Sequence, residues 1–218
     1  MDRDDVWQTI DDERRSLADL LDDLSAPEWA TPSLCAGWRV REVAAHLTLA
    51  HAGALSALAW LVRARGDFNR MVHDTAVRQA ELPVDRYSAA LRGMVGSRRK
   101  APGVSHLEPL LDILVHGQDI AIPLGRPRPV PTAAAATAVA RVWAMGWPFH
   151  AQRILSGLEI VATDHPWSGG QGERVEGPIA SILLLITGRR AALSSLSGPG
   201  MTELEDRLAP RPGSDRQR

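Results

Sequence analysis

Apolar residues recur at helical spacing through most of the chain. Val6, Ile10, Leu17, Leu20, Leu21 and Leu24 share a face, and Asp2, Asp4 and Asp5 stand where the positive end of a helix favours carboxylates. The pattern predicts a first helix over about 4–24. Ser25, with Glu28 three positions on, has the form of a capping box for a short helical turn. A second long helix is expected from near Val40 towards Ala64, because that stretch holds no proline and one tolerable glycine, Gly53. Weaker helices follow over 68–81, stopped by Pro83, and over 85–96. A long apolar helix is expected over 106–122, ended by Pro123 and Gly125. After "GRPRPVP" (125–131) comes an alanine-rich helix over 132–146, then a strand-like alternation in "LEIVATD" (158–164). The stretch "HPWSGGQGERVEGP" (165–178) reads as turns, "IASILLLITGRRAALSSL" (179–196) as helix and "GPGMTELEDRL" (198–208) as a last short helix.

These elements predict a mainly α protein: an antiparallel helical bundle over 1–124, a linker over 125–131, and a smaller α+β segment over 132–210. The linker assignment rests on proline and glycine, which cannot continue a helix. Residues 211–218 are expected to be a disordered tail.

Composition narrows the function. At 218 residues there is room for one main core and a smaller second one. A net charge of −1 provides no global field for nucleic acid or an anionic membrane. The only cysteine, Cys35, excludes an internal disulfide framework and an all-cysteine metal site, and leaves seven histidines as the ligand pool. The acidic, amphipathic start "MDRDDVWQTIDDERR" does not read as a secretory signal. The longest apolar run, "PIASILLLIT" (178–187), is about half of the roughly 20 residues that span a bilayer. The expectation is a cytoplasmic protein that binds neither nucleic acid nor membrane, with monomer or homodimer left open.

Two histidines carry a carboxylate four residues earlier, Glu42 before His46 and Asp112 before His116, a spacing that puts both groups on one helix face. With 26 acidic residues in 218 and seven histidines, chance alone yields roughly 0.8 such pairs, so the motif by itself says little. Both histidines lie in apolar stretches, "VAAHLTLA" and "LDILVHG", where an unpaired imidazole is costly to bury. On facing helices, His46, His116 and a carboxylate would form a two-histidine, one-carboxylate site with open positions, as catalytic zinc and non-haem iron sites have. The residues alone leave two readings, a metal site or buried structural histidines, and favour the second.

A family resemblance shifts that balance. "PSLCAGWRVREVAAHL" (32–47) and "LDILVHGQDIAIPLG" (111–125) resemble the two hallmark segments of the DinB-like, mycothiol-dependent maleylpyruvate isomerase family. The tail over 158–200 is similar to the C-terminal segment of many actinobacterial members. The resemblance implies a four-helix bundle with a divalent ion, usually zinc, held by one histidine of the second helix and a carboxylate and histidine of the fourth. The second-helix ligand falls on His46, the only match to the histidine of "GWxVxxxxxHL"; the family's E-x-x-x-H falls on Asp112 and His116. Aspartate in place of glutamate shortens that arm by about 1.5 Å, which leaves room for ligation through water or for another metal preference.

Other polar residues receive blander assignments. Glu42 suits the start of a helix, favouring the dipole over ligation. Asp119, one turn past His116, is either an orienting partner for a ligand imidazole or a surface carboxylate. Cys35 reads as packing, His51 as pointing away from His46, and Trp38 and Trp60 as core. "GGQG" lacks a phosphate-loop frame and is assigned to hairpin flexibility. Arg189, beside Arg190, could hold a carboxylate of a substrate or thiol cofactor, although structural pairing is the commoner role.

The expected function is a metal-dependent enzyme that uses a low-molecular-weight thiol, by resemblance mycothiol, as the nucleophile towards a small electrophile. It would act as an isomerase or S-transferase. A metal-dependent hydrolase and a non-catalytic DinB-like stress or ligand-binding protein are the alternatives.

Overall fold

The computed structural model describes residues 1–51, 60, 62–65, 67–100 and 103–209. They fall into two compact units, Met1–Pro129 and Val130–Arg218. The tail expected over 211–218 lies outside the described residues, as does residues 52–59 of the expected long second helix.

The first unit is helical. Helix α1, Arg3–Asp22, starts where the Asp2 carboxylate accepts hydrogen bonds from the backbone N–H groups of Asp4 and Asp5 at 2.9 and 2.8 Å. Its apolar stripe, Val6, Trp7, Ile10, Leu17 and Leu21, is buried. Asp11, Glu13 and Arg14 are buried on the same helix, so its inner side is partly charged. The short α2, Ala26–Trp29, follows, with the Glu28 carboxylate accepting from the Ser25 N–H at 2.9 Å and hydroxyl at 2.6 Å. Helix α3 is Val40–Leu47, α4 Phe68–Gln79, α5 Asp85–Gly93 and α6 Leu107–Ala121. Helix α1 packs on α5 and α6, and α3 packs on α4 and α6, so α6 sits between α1 and α3.

Helix α3 is shorter than its sequence pattern predicts. At Thr48 the ladder tightens into a 3₁₀ turn, Thr48–His51, and the Thr48 hydroxyl donates to the Ala45 carbonyl at 2.7 Å. Such a local side-chain bond competes with the regular helical pattern.

Residues 125–131 carry no helix, yet they do not run free of the bundle. Arg126 donates to Glu28 and Asp23 at 2.8 Å each, and Arg128 reaches Glu13 and Ser16 on α1. Ser25 first, then Arg126, holds the Glu28 carboxyl far below its usual 4.5, at about 2. A depressed folded pKa contributes stability that is complete above the unfolded value and vanishes as pH falls through the folded one. Glu28→Gln is therefore expected to lower the melting temperature slightly at neutral pH, with the gap to wild type closing between about pH 4.5 and pH 2. Thermal melts across that window check this.

In the second unit, α7 (Thr132–Ala144) buries its alanine-rich face against α9 (Ile179–Ile186). The short α8 is Ala151–Ile154. Strand β1, Leu158–Ala162, is central in a three-stranded sheet, antiparallel to β2 (Ser168–Gly170) and parallel to β3 (Glu173–Gly177). The stretch predicted as turns thus contributes two of the three strands. Its glycines serve close packing rather than flexibility: Gly172 has φ +130°, and a Cβ there would fall on the Gly157 carbonyl. The helix predicted to run through 196 stops at Ile186; Gly188 (φ +88°) turns the chain into a 3₁₀ segment, Arg190–Ser195. Helix α10, Met201–Leu208, is the last element. Among the described residues no helix is long and apolar enough to cross a membrane.

Candidate metal centre

Helices α3 and α6 bring His46, Asp112 and His116 to one place. His46 lies near the end of α3; Asp112 and His116 lie one turn apart on α6. The Asp112 carboxylate spans the histidines, with Oδ2 3.7 Å from His46 Nε2 and Oδ1 3.5 Å from His116 Nε2. The imidazole rings meet edge to face, centroids 4.9 Å apart. One donor atom from each of the three lies within 4.8 Å of the others. Four-coordinate zinc with bonds of 2.0–2.1 Å separates its donors by about 3.3 Å, so a small contraction would let all three residues reach one ion. The aspartate carboxylate thus lies between the two imidazoles despite its shorter arm. Side-chain exposures of 19, 38 and 14 % for His46, Asp112 and His116 leave the cluster open to solvent on one side.

The far side of His116 is closed. Its Nδ1 lies 2.8 Å from Asp119 Oδ2, and the Asp119 side chain has no exposure at all. Of the two roles weighed for Asp119, the surface carboxylate is excluded. A buried carboxylate needs donors, and the Nδ1 proton is one. This assignment leaves the Nε2 lone pair directed towards Asp112 and His46. Cys35 is a second partner, its thiol donating to the same Asp119 oxygen at 3.0 Å, with Sγ 3.7 Å from His116 Nδ1. Cys35 is thus more than packing.

The loop before α3 brings Cys35 and Trp38 to the histidines. Backbone bonds Trp38 N–H to Cys35 O, 3.0 Å, and Ser33 N–H to Trp38 O, 2.9 Å, close the turn, and Gly37 adopts φ +78° within it. The Ser33 hydroxyl also donates to Trp38 O, and Leu34 N–H donates to Asp119 O. Trp38 is buried, as its apolar character predicts, but it packs on the site: its ring lies 5.3 Å from His46 and 6.5 Å from His116. Glu42 faces elsewhere, accepting from the Arg39 N–H at 2.8 Å and pairing with the Arg39 guanidinium. Burial would raise its carboxyl, yet the bonds from Arg39 hold it below its usual value.

Behind Asp112 a cavity of about 10 Å³, lined by Arg14, Leu47, Leu91, Asp112 and Ile113, has room for about one water. Burial pushes the Arg14 guanidinium down, against the pull of Asp11, and the group donates to Met94 O at 2.9 Å. His51 stands apart from the three-residue cluster; burial first, then Arg14 and Arg99, lowers its imidazole.

Arg189 is in the second unit, half-buried, with its guanidinium donating to Thr187 O at 2.6 Å. The preceding Thr187 and Gly188 border a cleft of about 210 Å³ lined mainly by apolar residues, Phe149, Leu155 and Ile186 among them.

Residues 10–103 match the family model described as the mycothiol maleylpyruvate isomerase N-terminal domain. No curated protein matches the chain. Among solved structures, a crystal structure of the mycothiol-dependent maleylpyruvate isomerase is similar at a TM-score of 0.61, with 14% identity, over 91% of this chain and 93% of that one. A histidine-to-alanine mutant of that enzyme is similar at 0.60, with the same identity and coverage. At this identity the likeness establishes the fold.

Proposed function

We propose that this protein, whose residues 10–103 match the mycothiol maleylpyruvate isomerase N-terminal domain model, is a member of that family and a metal-dependent enzyme employing a low-molecular-weight thiol. In this reading His46, Asp112 and His116 hold a divalent ion, zinc by preference. Mycothiol supplies the nucleophile, and a small electrophile is either isomerised through a reversible thiol adduct or transferred onto the thiol sulfur with departure of its leaving group. The carrying observation is that the Asp112 carboxylate lies within 3.7 Å of both histidine Nε2 atoms on two packed helices. When bound, the ion supplies Lewis acidity that lets a thiol ionise near neutral pH, and the thiol supplies reversible or lasting addition to the electrophile.

The protein's own residues set the conditions for that chemistry. Asp119 holds the Nδ1 proton of His116, which frees Nε2 for the ion. Trp38 covers one flank of the histidine pair and limits water there.

The test incubates zinc-loaded protein with mycothiol and a haloalkyl bimane, and separately with mycothiol and maleylpyruvate, followed by mass spectrometry and absorbance. The expected result is a bimane S-conjugate or conversion of the cis double bond to trans without a change of mass, dependent on both metal and thiol. Cleavage of an amide or ester without thiol would establish the hydrolase instead, and neither activity together with intact metal binding would establish a non-catalytic module.

A further inference from the structure

We infer that Cys35 is a positioning residue for His116, acting through Asp119. This rests on the metal-site reading above. The Cys35 thiol and the His116 Nδ1–H donate to the same oxygen, Asp119 Oδ2, at 3.0 and 2.8 Å. Asp119 is also gripped through its backbone, where Leu34 N–H donates to its carbonyl at 3.2 Å. One turn of the chain, residues 33–38, therefore contributes two of the bonds that fix Asp119, and it carries Trp38 against the neighbouring ring.

The consequence is geometric. A carboxylate with two donors on one oxygen cannot swing about its side-chain torsion without breaking both bonds. Its direction sets the plane of His116, and that plane sets where the Nε2 lone pair points. The distances distinguish this arrangement from an ion cage built of Cys35, His116 and Asp119. Their Nδ1–Oδ2 separation of 2.8 Å is that of a hydrogen bond, below the roughly 3.3 Å between zinc donors. The thiol here stabilises an imidazole rather than attacking a substrate.

The test uses the full chain loaded with cobalt(II), as wild type, Cys35→Val and Cys35→Ser. Valine keeps the bulk without a donor; serine restores an O–H. Cys35→Val is expected to weaken cobalt binding about tenfold in chelator competition, the low end of the effect of groups behind a ligand. It should also change the visible ligand-field spectrum, and Cys35→Ser should recover both. Nitrogen-15 NMR of the metal-free wild type should show His116 protonated at Nδ1. Should the valine variant fail to fold, Cys35→Ala carries the same comparison. Equal affinity and spectra for wild type and valine variant overturn the inference while leaving the metal centre standing, as does serine no better than valine. A sulfur-to-cobalt charge-transfer band in wild type overturns it by placing the thiol on the ion. No cobalt uptake by wild type overturns both the inference and the proposed function.

Discussion

His116→Ala is expected to leave the purified protein without a stoichiometric divalent ion, while His73→Ala keeps it. Four-ligand structural zinc sites bind with about 10–16 kcal/mol, so one imidazole accounts for roughly 3 kcal/mol and its loss for on the order of a hundredfold in affinity or more. His116 should exceed even that. Its removal also strips Asp119, which has no solvent exposure, of the Nδ1 donor, and a buried carboxylate that loses a donor is costly. His46 meets Asp112 and the rings of Trp38 and His116 rather than a fully buried carboxylate, and His46→Ala is expected to weaken binding without comparable damage to the bundle. His73 sits on α4 with its side chain 53% exposed and outside the donor trio, which makes it the control. Elemental analysis by mass spectrometry, a zinc titration against a chelator, and a melting curve for each variant separate loss of a ligand from loss of fold. Metal at full stoichiometry in His116→Ala would remove this residue from the centre.

The elements that sequence periodicity placed were those whose packing is regular. Helix α6, with an apolar run around Asp112 and His116, falls within a residue of its expected ends, because Pro123 and the glycine after it act locally. The three-stranded sheet was half hidden. "SGG" (168–170) and "ERVEG" (173–177) have neither β-branched alternation nor length, and they become strands only because Leu158–Ala162 offers two edges to pair with. The same distinction holds at the centre. The i, i+4 relation of Asp112 and His116 is readable from spacing, whereas the approach of His46 depends on two helices meeting, for which only family resemblance gave a hint. The bond from Cys35 to Asp119 joins residues 84 positions apart, and no local rule links a loop thiol to a helix carboxylate at that range. A cysteine among small residues looks like packing until the carboxylate it serves is seen. "GRPRPVP" likewise reads as a spacer by its prolines, while its two arginines find acids on and after α1 that the pattern could not assign to them.

Arg128→Ala is expected to destabilise the first unit by about 3–5 kcal/mol, the cost of breaking one side of a buried ion pair. The Arg128 side chain is 4% exposed and that of Glu13 11%, with 2.5 Å between Nη2 and Oε2. Arg128 also donates to the Glu13 carbonyl and the Ser16 hydroxyl, so truncation strands several α1 acceptors together. Burial pushes the Glu13 carboxyl up and the Arg128 guanidinium down, each opposed by its attraction to the other. Removing the arginine leaves burial unopposed, and the Glu13 pKa in the variant rises further. A carboxyl whose folded pKa exceeds its unfolded value favours the fold below that value and loses the benefit as pH rises through the folded pKa. The deficit of Arg128→Ala should therefore grow between a pH near the ordinary carboxyl value of 4.5 and neutral pH, the same direction as at Glu28 but above rather than below that value. Replacing both partners with apolar residues, Glu13→Leu with Arg128→Met, should recover most of the loss, because the pair repays little beyond its own desolvation. Denaturant melts at the two pH values, for single and double variants, read this directly. The outcome bears on the metal centre as well. Arg128 Nε would lie 2.8 Å from a Cβ on Gly117, the residue after His116, so this side chain fills the space against α6 beside the proposed ligand. A double variant that regains stability but not zinc affinity would show that the guanidinium sets the position of that turn, whereas recovery of both would confine its role to the fold.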